Sequence, residues 1–125
     1  MTLLFNLWYV IALKGYEEMN QLAGEAEEAA WARTTADKLR KEFHRTFWNG
    51  KYYISPGYQG KPDDRAQALA VVSGILPKEL YPVIRPFFST WYHASPYMEK
   101  YVLEALCTMG YYQDALNRMN FVIAP

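Results

Sequence analysis

Three short segments with the same arrangement divide the chain, at residues 22–24, 72–74 and 108–110, and each ends in glycine. Each follows an apolar stretch with helical periodicity, and a second helical stretch begins almost at once. Glycine is the usual residue just past a helix end because, without a Cβ atom, it accepts a left-handed backbone. The pattern therefore predicts three antiparallel helical hairpins, closed at Gly24, Gly74 and Gly110.

The two helices of each predicted hairpin differ in composition. The predicted helices cover roughly residues 3–22, 25–47, 66–72, 77–88, 97–109 and 112–122. The first of each pair is mostly apolar, which predicts burial on most faces, whereas the second is amphipathic or mixed. Pro82 and Pro86 should shorten or kink the fourth helix. We expect an all-α fold in which an inner ring of buried helices lies inside an outer ring that meets solvent.

The connections between hairpins are longer than the turns inside them. They cover 48–62 and 89–94 and are rich in aromatic and polar residues, and 52–54 could form a short strand. Because consecutive helices alternate in direction, both connections should lie at the end where the inner helices begin. Long loops on a rigid scaffold often carry function, so we expect a binding site at this end.

Composition argues against several classes of function. The 13 basic and 13 acidic residues balance and alternate, so the chain lacks the electrostatic footprint of nucleic-acid or anionic-membrane binding. Cys107 is the single cysteine, and His44 and His93 are far apart, so neither a disulfide nor a metal site is expected. No glycine-rich phosphate loop is present, and we expect no cofactor.

The N-terminal apolar run, 3–13, indicates neither a membrane span nor a signal peptide. A span needs about 20 apolar residues, and no basic segment precedes this run. If the parent protein is exported, its signal lies upstream, and the compartment stays open.

Acidic residues mark the starts of two predicted inner helices. Asp63 and Asp64 open the third helix, where aspartate is favoured as a cap and by the helix dipole. One member of the pair could instead bind a ligand hydroxyl at the mouth of a cleft. Glu99 follows Ser95 as predicted N-cap and Pro96 as first helical residue. It interrupts an apolar helix beside an aromatic loop, so it is either a first-turn acid or a ligand contact.

Two further polar positions have alternative interpretations. Gln67 lies one turn into an apolar helix, and its amide needs partners if it is buried. A loop carbonyl is the first candidate and a sugar hydroxyl the second. Ser95 lies near His93, but nothing activates this serine and capping already explains it, so we discount a nucleophile.

Several of these segments resemble a known family. The sequence SPYMEKYVLEAL at 95–106, followed by Met109, Gly110 and Tyr111, resembles the late barrel segment of bacterial α-L-rhamnosidases, glycoside hydrolase family 78. The sequence DDRAQALAV at 63–71 resembles the inner helix before it. NLWY at 6–9, with Ala12 and Leu13, resembles the preceding hairpin, and FWNG at 47–50 fits the loop after the outer helix. The resemblance covers nearly the whole chain, and 121–125 fits least.

The resemblance implies a fold and a reaction. The family fold is an (α/α)6 barrel, so a single partial domain over 1–125, with hairpins at approximately 3–47, 63–88 and 95–123, would be about half of it. The family hydrolyses terminal α-L-rhamnose with inversion, which uses a general acid and a general base roughly 6.5–9.5 Å apart. The family's acid lies in an acidic, arginine-rich motif upstream of the matched region, and its base in a Trp-Glu motif after it. Neither motif is present here.

The resemblance therefore implies a fragment that lacks both catalytic carboxylates and is inactive alone. By position, the residues expected to line the rhamnose cleft are Asp64, Gln67, Trp91, His93, Tyr97 and Glu99. The partner expected in the full enzyme is a rhamnose-containing glycan. Half a barrel would also expose its inner helices, so self-association is expected. A stand-alone helical-hairpin module for protein interaction is the alternative function.

Overall fold

The computed structural model describes residues 2–58, 60–90, 92, 94 and 96–123, with side chains for all of these except Thr2, Pro96 and Ile123. Its α-helices are α1 (Thr2–Leu22), α2 (Ala26–Phe47), α3 (Asp64–Val72), α4 (Tyr81–Ile84), α5 (Pro96–Met109) and α6 (Tyr112–Ile123). The prediction of an all-α fold is confirmed for this part of the chain.

The short strand predicted at 52–54 does not form. Trp48 and Tyr53 make one isolated antiparallel bridge. Two backbone hydrogen bonds form it, from the amide of Ile54 to Phe47 O at 2.9 Å and from the amide of Asn49 to Tyr52 O at 3.1 Å. The connection is therefore a tight loop after α2.

The three glycine turns share one hydrogen-bond pattern. Gly24, Gly74 and Gly110 have φ of 79°, 80° and 88°. In each turn the amide after the glycine donates to the carbonyl five residues earlier, as Glu25 does to Asn20 O at 2.8 Å. The glycine amide donates to the carbonyl three residues earlier. This is the Schellman arrangement, and it confirms the predicted helix ends.

Helix α3 lies at the centre of the packing. It contacts α1 on one side and α5 on the other, while α2 packs against α1 and α6 packs against α5. Ala66, Ala68 and Ala70 are fully buried, and their small side chains let the neighbouring helices approach closely. The rings of Trp8 on α1 and Tyr101 on α5 meet at 5.4 Å between centroids. This contact joins the two helices that flank α3.

Helix α1 is much less buried than its composition predicts, so that prediction is wrong. Leu7, Val10 and Leu13 form its buried side, whereas Phe5 is 68% exposed and Leu22 is 90% exposed. The physical reason is that, among the described residues, α1 packs mainly against α2 and α3, which leaves part of its surface uncovered. Several of its other large apolar side chains form an exposed surface.

The fourth predicted helix is broken, as its prolines indicate. A 3-10 turn over Lys78–Leu80 leads into the single turn of α4, and a second 3-10 helix covers Arg85–Ser89. Proline removes a backbone donor and clashes with the preceding turn, so a continuous α-helix cannot pass through 82 and 86. We call residues 78–89 the broken helix. Ile84, Phe87 and Phe88 anchor it to the core.

A pair of glycine substitutions tests the turn geometry. Gly24→Ala should lower the free energy of unfolding by about 1 kcal/mol, because alanine is strained at positive φ. Gly15→Ala is the matched control: Gly15 lies inside α1 with open space around its Cβ position, so alanine should stabilise by about 0.5–1 kcal/mol. Urea unfolding measures both. Equal effects of the two substitutions would contradict the turn assignment.

Candidate functional site

A buried ionic cluster forms where α3 and α5 begin. The guanidinium of Arg118 on α6 donates from Nη2 to Asp64 Oδ2 at 2.6 Å and to Glu99 Oε2 at 3.2 Å, and from Nε to Glu99 Oε1. The Arg118 side chain is 2% exposed, and the two carboxylates are 0% and 7% exposed. We call Asp64, Glu99 and Arg118 the buried triad.

The buried triad also holds neighbouring segments in place. Arg118 Nη1 donates to the carbonyl of Phe88 at 2.7 Å, at the end of the broken helix. The Arg118 guanidinium lies over the ring of Tyr92, 4.7 Å from its centroid. Asp64 Oδ2 accepts from the backbone amide of Ala94 at 3.2 Å. One arginine therefore joins α3, α5, α6 and the connection that leads to α5.

The protonation of Arg118 follows from this environment. Burial alone lowers the pKa of a guanidinium, but the hydrogen bonds and charges of Glu99 and Asp64 outweigh it and raise the pKa of Arg118 above its ordinary value. The group stays charged, and its planar fork of donors satisfies two carboxylates at once.

A second buried polar contact fixes the loop after α2. Gln67 on α3 accepts from the backbone amide of Tyr53 at 2.6 Å and donates to its carbonyl at 2.7 Å. It also donates to Asp63 O at 3.2 Å. The expected loop-carbonyl partner of Gln67 is thereby confirmed. The Gln67 amide thus pairs with both backbone polar groups of Tyr53, as the backbone of a neighbouring strand would.

Tyr53 also binds His44. The Tyr53 hydroxyl lies 2.6 Å from His44 Nδ1, and the imidazole stacks on Trp48 with 5.5 Å between ring centroids. Burial raises the pKa of Tyr53 well above its usual range and lowers the pKa of His44. The phenol therefore keeps its proton and can donate it to a neutral imidazole.

The structure brings two of the predicted cleft residues together. Asp64 and Glu99 meet at Arg118, while Gln67 lies one turn along α3. All three are buried and bonded within the chain. Asp63 supplies the predicted cap, since its side chain accepts from the Arg65 amide at 2.9 Å. The side chains of Asp64, Gln67 and Glu99 are therefore buried and hydrogen-bonded within the chain, and their place in a sugar cleft stays a prediction.

The other predicted cleft residues have different placements. Tyr97 is 71% exposed in the first turn of α5 and touches Tyr101 edge-on at 6.2 Å. Trp91 and His93 lie outside the described residues, as does the proposed cap Ser95. Pro96 begins α5 as expected.

The arrangement offers little acid–base chemistry. Both triad carboxylates are covered by protein and held by one guanidinium, so neither can reach a substrate proton in this arrangement. Among the described residues, no group of three or more His, Cys, Asp or Glu is placed to hold a metal ion. No helix in the described ranges is both long and apolar enough to cross a membrane.

Sequence reasoning missed Arg118 and Tyr53. Arg118 lies three residues after Ala115, on the buried face of α6, and this spacing is one signal that could have identified it. Two acidic residues at the starts of apolar helices also require a buried cation. Tyr53 gave no comparable signal, because its partners Gln67 and His44 come from distant segments.

Comparisons of the chain with models of protein families, with curated proteins and with solved structures found no match.

Replacing Arg118 tests the buried triad. Arg118→Met should lower the free energy of unfolding by about 3–5 kcal/mol, because it leaves two buried carboxylates without their cation. Arg118→Lys keeps the charge without the planar fork and should lose an intermediate amount. Arg33→Met is the control. Arg33 Nε forms an ion pair with Glu17 Oε2 at 2.7 Å, but the Arg33 side chain is 62% exposed, so the loss of unfolding free energy should stay below about 1 kcal/mol. Similar losses at positions 118 and 33 would contradict the account.

The lowered pKa of His44 predicts a pH dependence of stability. Because the folded pKa lies below the unfolded value of about 6.5, the unfolded chain takes up the proton first as pH falls. The stability contributed by neutral His44 is fully present above the unfolded pKa of about 6.5 and is lost as pH falls below it. His44→Gln should lose less stability than the wild type between about pH 7.5 and pH 5 in urea unfolding. Equal losses in both proteins would refute a role for His44.

Proposed function

We propose that this chain is a non-catalytic part of a six-hairpin glycosidase barrel of the α-L-rhamnosidase type. In this proposal α1, α3 and α5 belong to the inner ring, and α2, the broken helix and α6 to the outer ring. The chain supplies scaffold and part of the rim around a sugar cleft, while the general acid and general base come from elsewhere.

The packing order of the helices supports the proposal. The alternate helices α1, α3 and α5 pack side by side, and each is followed by a Schellman turn and a further helical segment. Two of these segments, α2 and α6, pack against α1 and α5. The Trp8–Tyr101 contact across α3 indicates that this row is curved. A barrel of helical hairpins contains such a curved row of alternate helices as its inner ring.

The geometry of the acids supports a non-catalytic role and is the observation that carries it. Asp64 Oδ2 and Glu99 Oε2 both contact Arg118 Nη2, at 2.6 Å and 3.2 Å. They therefore lie closer together than the roughly 6.5 Å that an inverting pair needs to hold its water. The guanidinium occupies the space between them.

Hydrolysis of an aryl α-L-rhamnoside tests this role. We expect no release of the aryl group above the buffer background from the purified chain, because no acid–base pair is in place. Glu99→Gln should leave the result unchanged. Turnover by the wild type that Glu99→Gln abolishes would show that the chain is itself catalytic.

A protein-interaction module is the second candidate, and the exposed face of α1 favours it. Phe5, Tyr9, Tyr16 and Met19 are 68%, 39%, 39% and 63% exposed along this helix, and Trp31 of α2 packs edge-on against Tyr16. Exposed apolar surface of this kind marks an interface or drives association. We propose that a second copy of the chain covers it.

Sedimentation velocity tests the association. The wild type should form dimers or larger species with rising concentration, and Phe5→Glu with Met19→Glu should shift it toward monomer. Leu116→Glu, at a 54% exposed position on α6, is the matched control and should have little effect. A wild type that stays monomeric and binds no apolar dye would exclude self-association. An equal effect of Leu116→Glu would contradict the assignment of the interface to the exposed face of α1.

A further inference from the structure

A cavity of about 580 Å³ lies between the broken helix and α6. Arg85 and Ser89 line it on one side, Asp114, Asn117 and Phe121 on the other, with the buried residues Phe88 and Arg118 beneath. This volume lies within the range of about 300–1,000 Å³ that is usual for small-molecule sites. Of the residues that the resemblance assigns to a rhamnose cleft, those that the structure describes (Asp64, Gln67, Tyr97 and Glu99) do not line this cavity.

The cavity has one aromatic wall. Tyr92 and Phe121 pack with 4.4 Å between centroids and 34° between planes, and Phe121 remains 67% exposed. Arg118 occupies part of the other side of Tyr92, at 4.7 Å. An apolar face of a ligand can therefore pack against the exposed part of the Phe121 ring.

The charges around the cavity are paired. Arg85 donates to Asp114 through two bonds, at 2.7 Å and 3.0 Å, and these bonds lower the pKa of Asp114. Arg118 is satisfied by the two carboxylates of the buried triad. A charged ligand would thus find no unpaired counter-charge among the described residues of this cavity.

Hydrogen-bonding capacity remains around the rim. Asn117 Oδ1 accepts from Gln113 at 2.9 Å, and within the described residues its Nδ2 group donates to no side chain or carbonyl. Ser89 Oγ donates to Pro86 O at 3.0 Å and can still accept a bond. Each Asp114 oxygen takes one bond from Arg85 and has a further lone pair. The rim of the cavity therefore offers both a donor and acceptors to a ligand.

We infer that this cavity is a binding site for a neutral saccharide unit. The apolar C–H face of the sugar ring packs on Phe121, and its hydroxyls bind the amide of Asn117, the carboxylate of Asp114 and the Ser89 oxygen. This inference does not depend on the proposed barrel, because it uses only the cavity between the broken helix and α6.

Heteronuclear NMR titration of the full chain tests the site. The probes are methyl α-L-rhamnoside, methyl β-D-glucoside, D-glucuronate and N-acetyl-leucinamide. We expect a neutral glycoside to shift the signals of Ser89, Asn117 and Phe121. Phe121→Ala and Asn117→Ala should each weaken this binding on the order of fivefold. Tyr112→Ala, at a 64% exposed position on α6 outside the cavity, is the control and should leave it unchanged.

Three outcomes would overturn the inference. The first is that no neutral glycoside shifts these signals. The second is that glucuronate or N-acetyl-leucinamide binds the cavity more tightly than the glycosides. The third is that a glycoside shifts Tyr97 and the start of α5 while the cavity signals stay fixed, a result that would support the proposed sugar cleft instead.

Discussion

Burial of most of α3 imposes the condition on which the rest of the structure depends. The buried polar groups of this helix must find their partners within the chain, since no water reaches them. Asp63 caps the first turn, Asp64 binds Arg118, and Gln67 binds the backbone of Tyr53. These contacts draw in α6, the start of α5 and the loop after α2, so the polar side chains of α3 determine where the surrounding elements lie.

The same condition explains why the acids of this chain serve structure. A carboxylate that must be neutralised by a buried guanidinium is not available to donate or accept a substrate proton. The groups available to a ligand lie further out, on the rim of the cavity between the broken helix and α6 and on the exposed face of α1. The buried polar side chains thus hold the helices and loops in place, whereas the exposed aromatic and amide side chains are accessible to a ligand.

Local features of the fold could be predicted from the sequence, whereas long-range contacts could not. Gly24, Gly74 and Gly110 identify helix ends because the left-handed conformation is a property of the residue itself. Pro82 and Pro86 likewise predict the broken helix, because the loss of a backbone donor is a property of proline itself. The exposure of α1 could not be predicted, because it depends on which helices pack against it. For the site, Asp64, Gln67 and Glu99 stand out in the sequence as polar residues on apolar helices, but Arg118 is separated from Asp64 by 54 residues, and no local pattern joins them.

Native-state hydrogen exchange at individual amides tests the central position of α3 most directly. If α3 is enclosed as described, the amides of residues 68–71 exchange only on global unfolding, with a free energy equal to that from urea unfolding. The amides in the first turns of α1 and the last turns of α6 should exchange faster, through local opening. Exchange at 68–71 as fast as at these helix ends would show that α3 is not the enclosed centre of the fold.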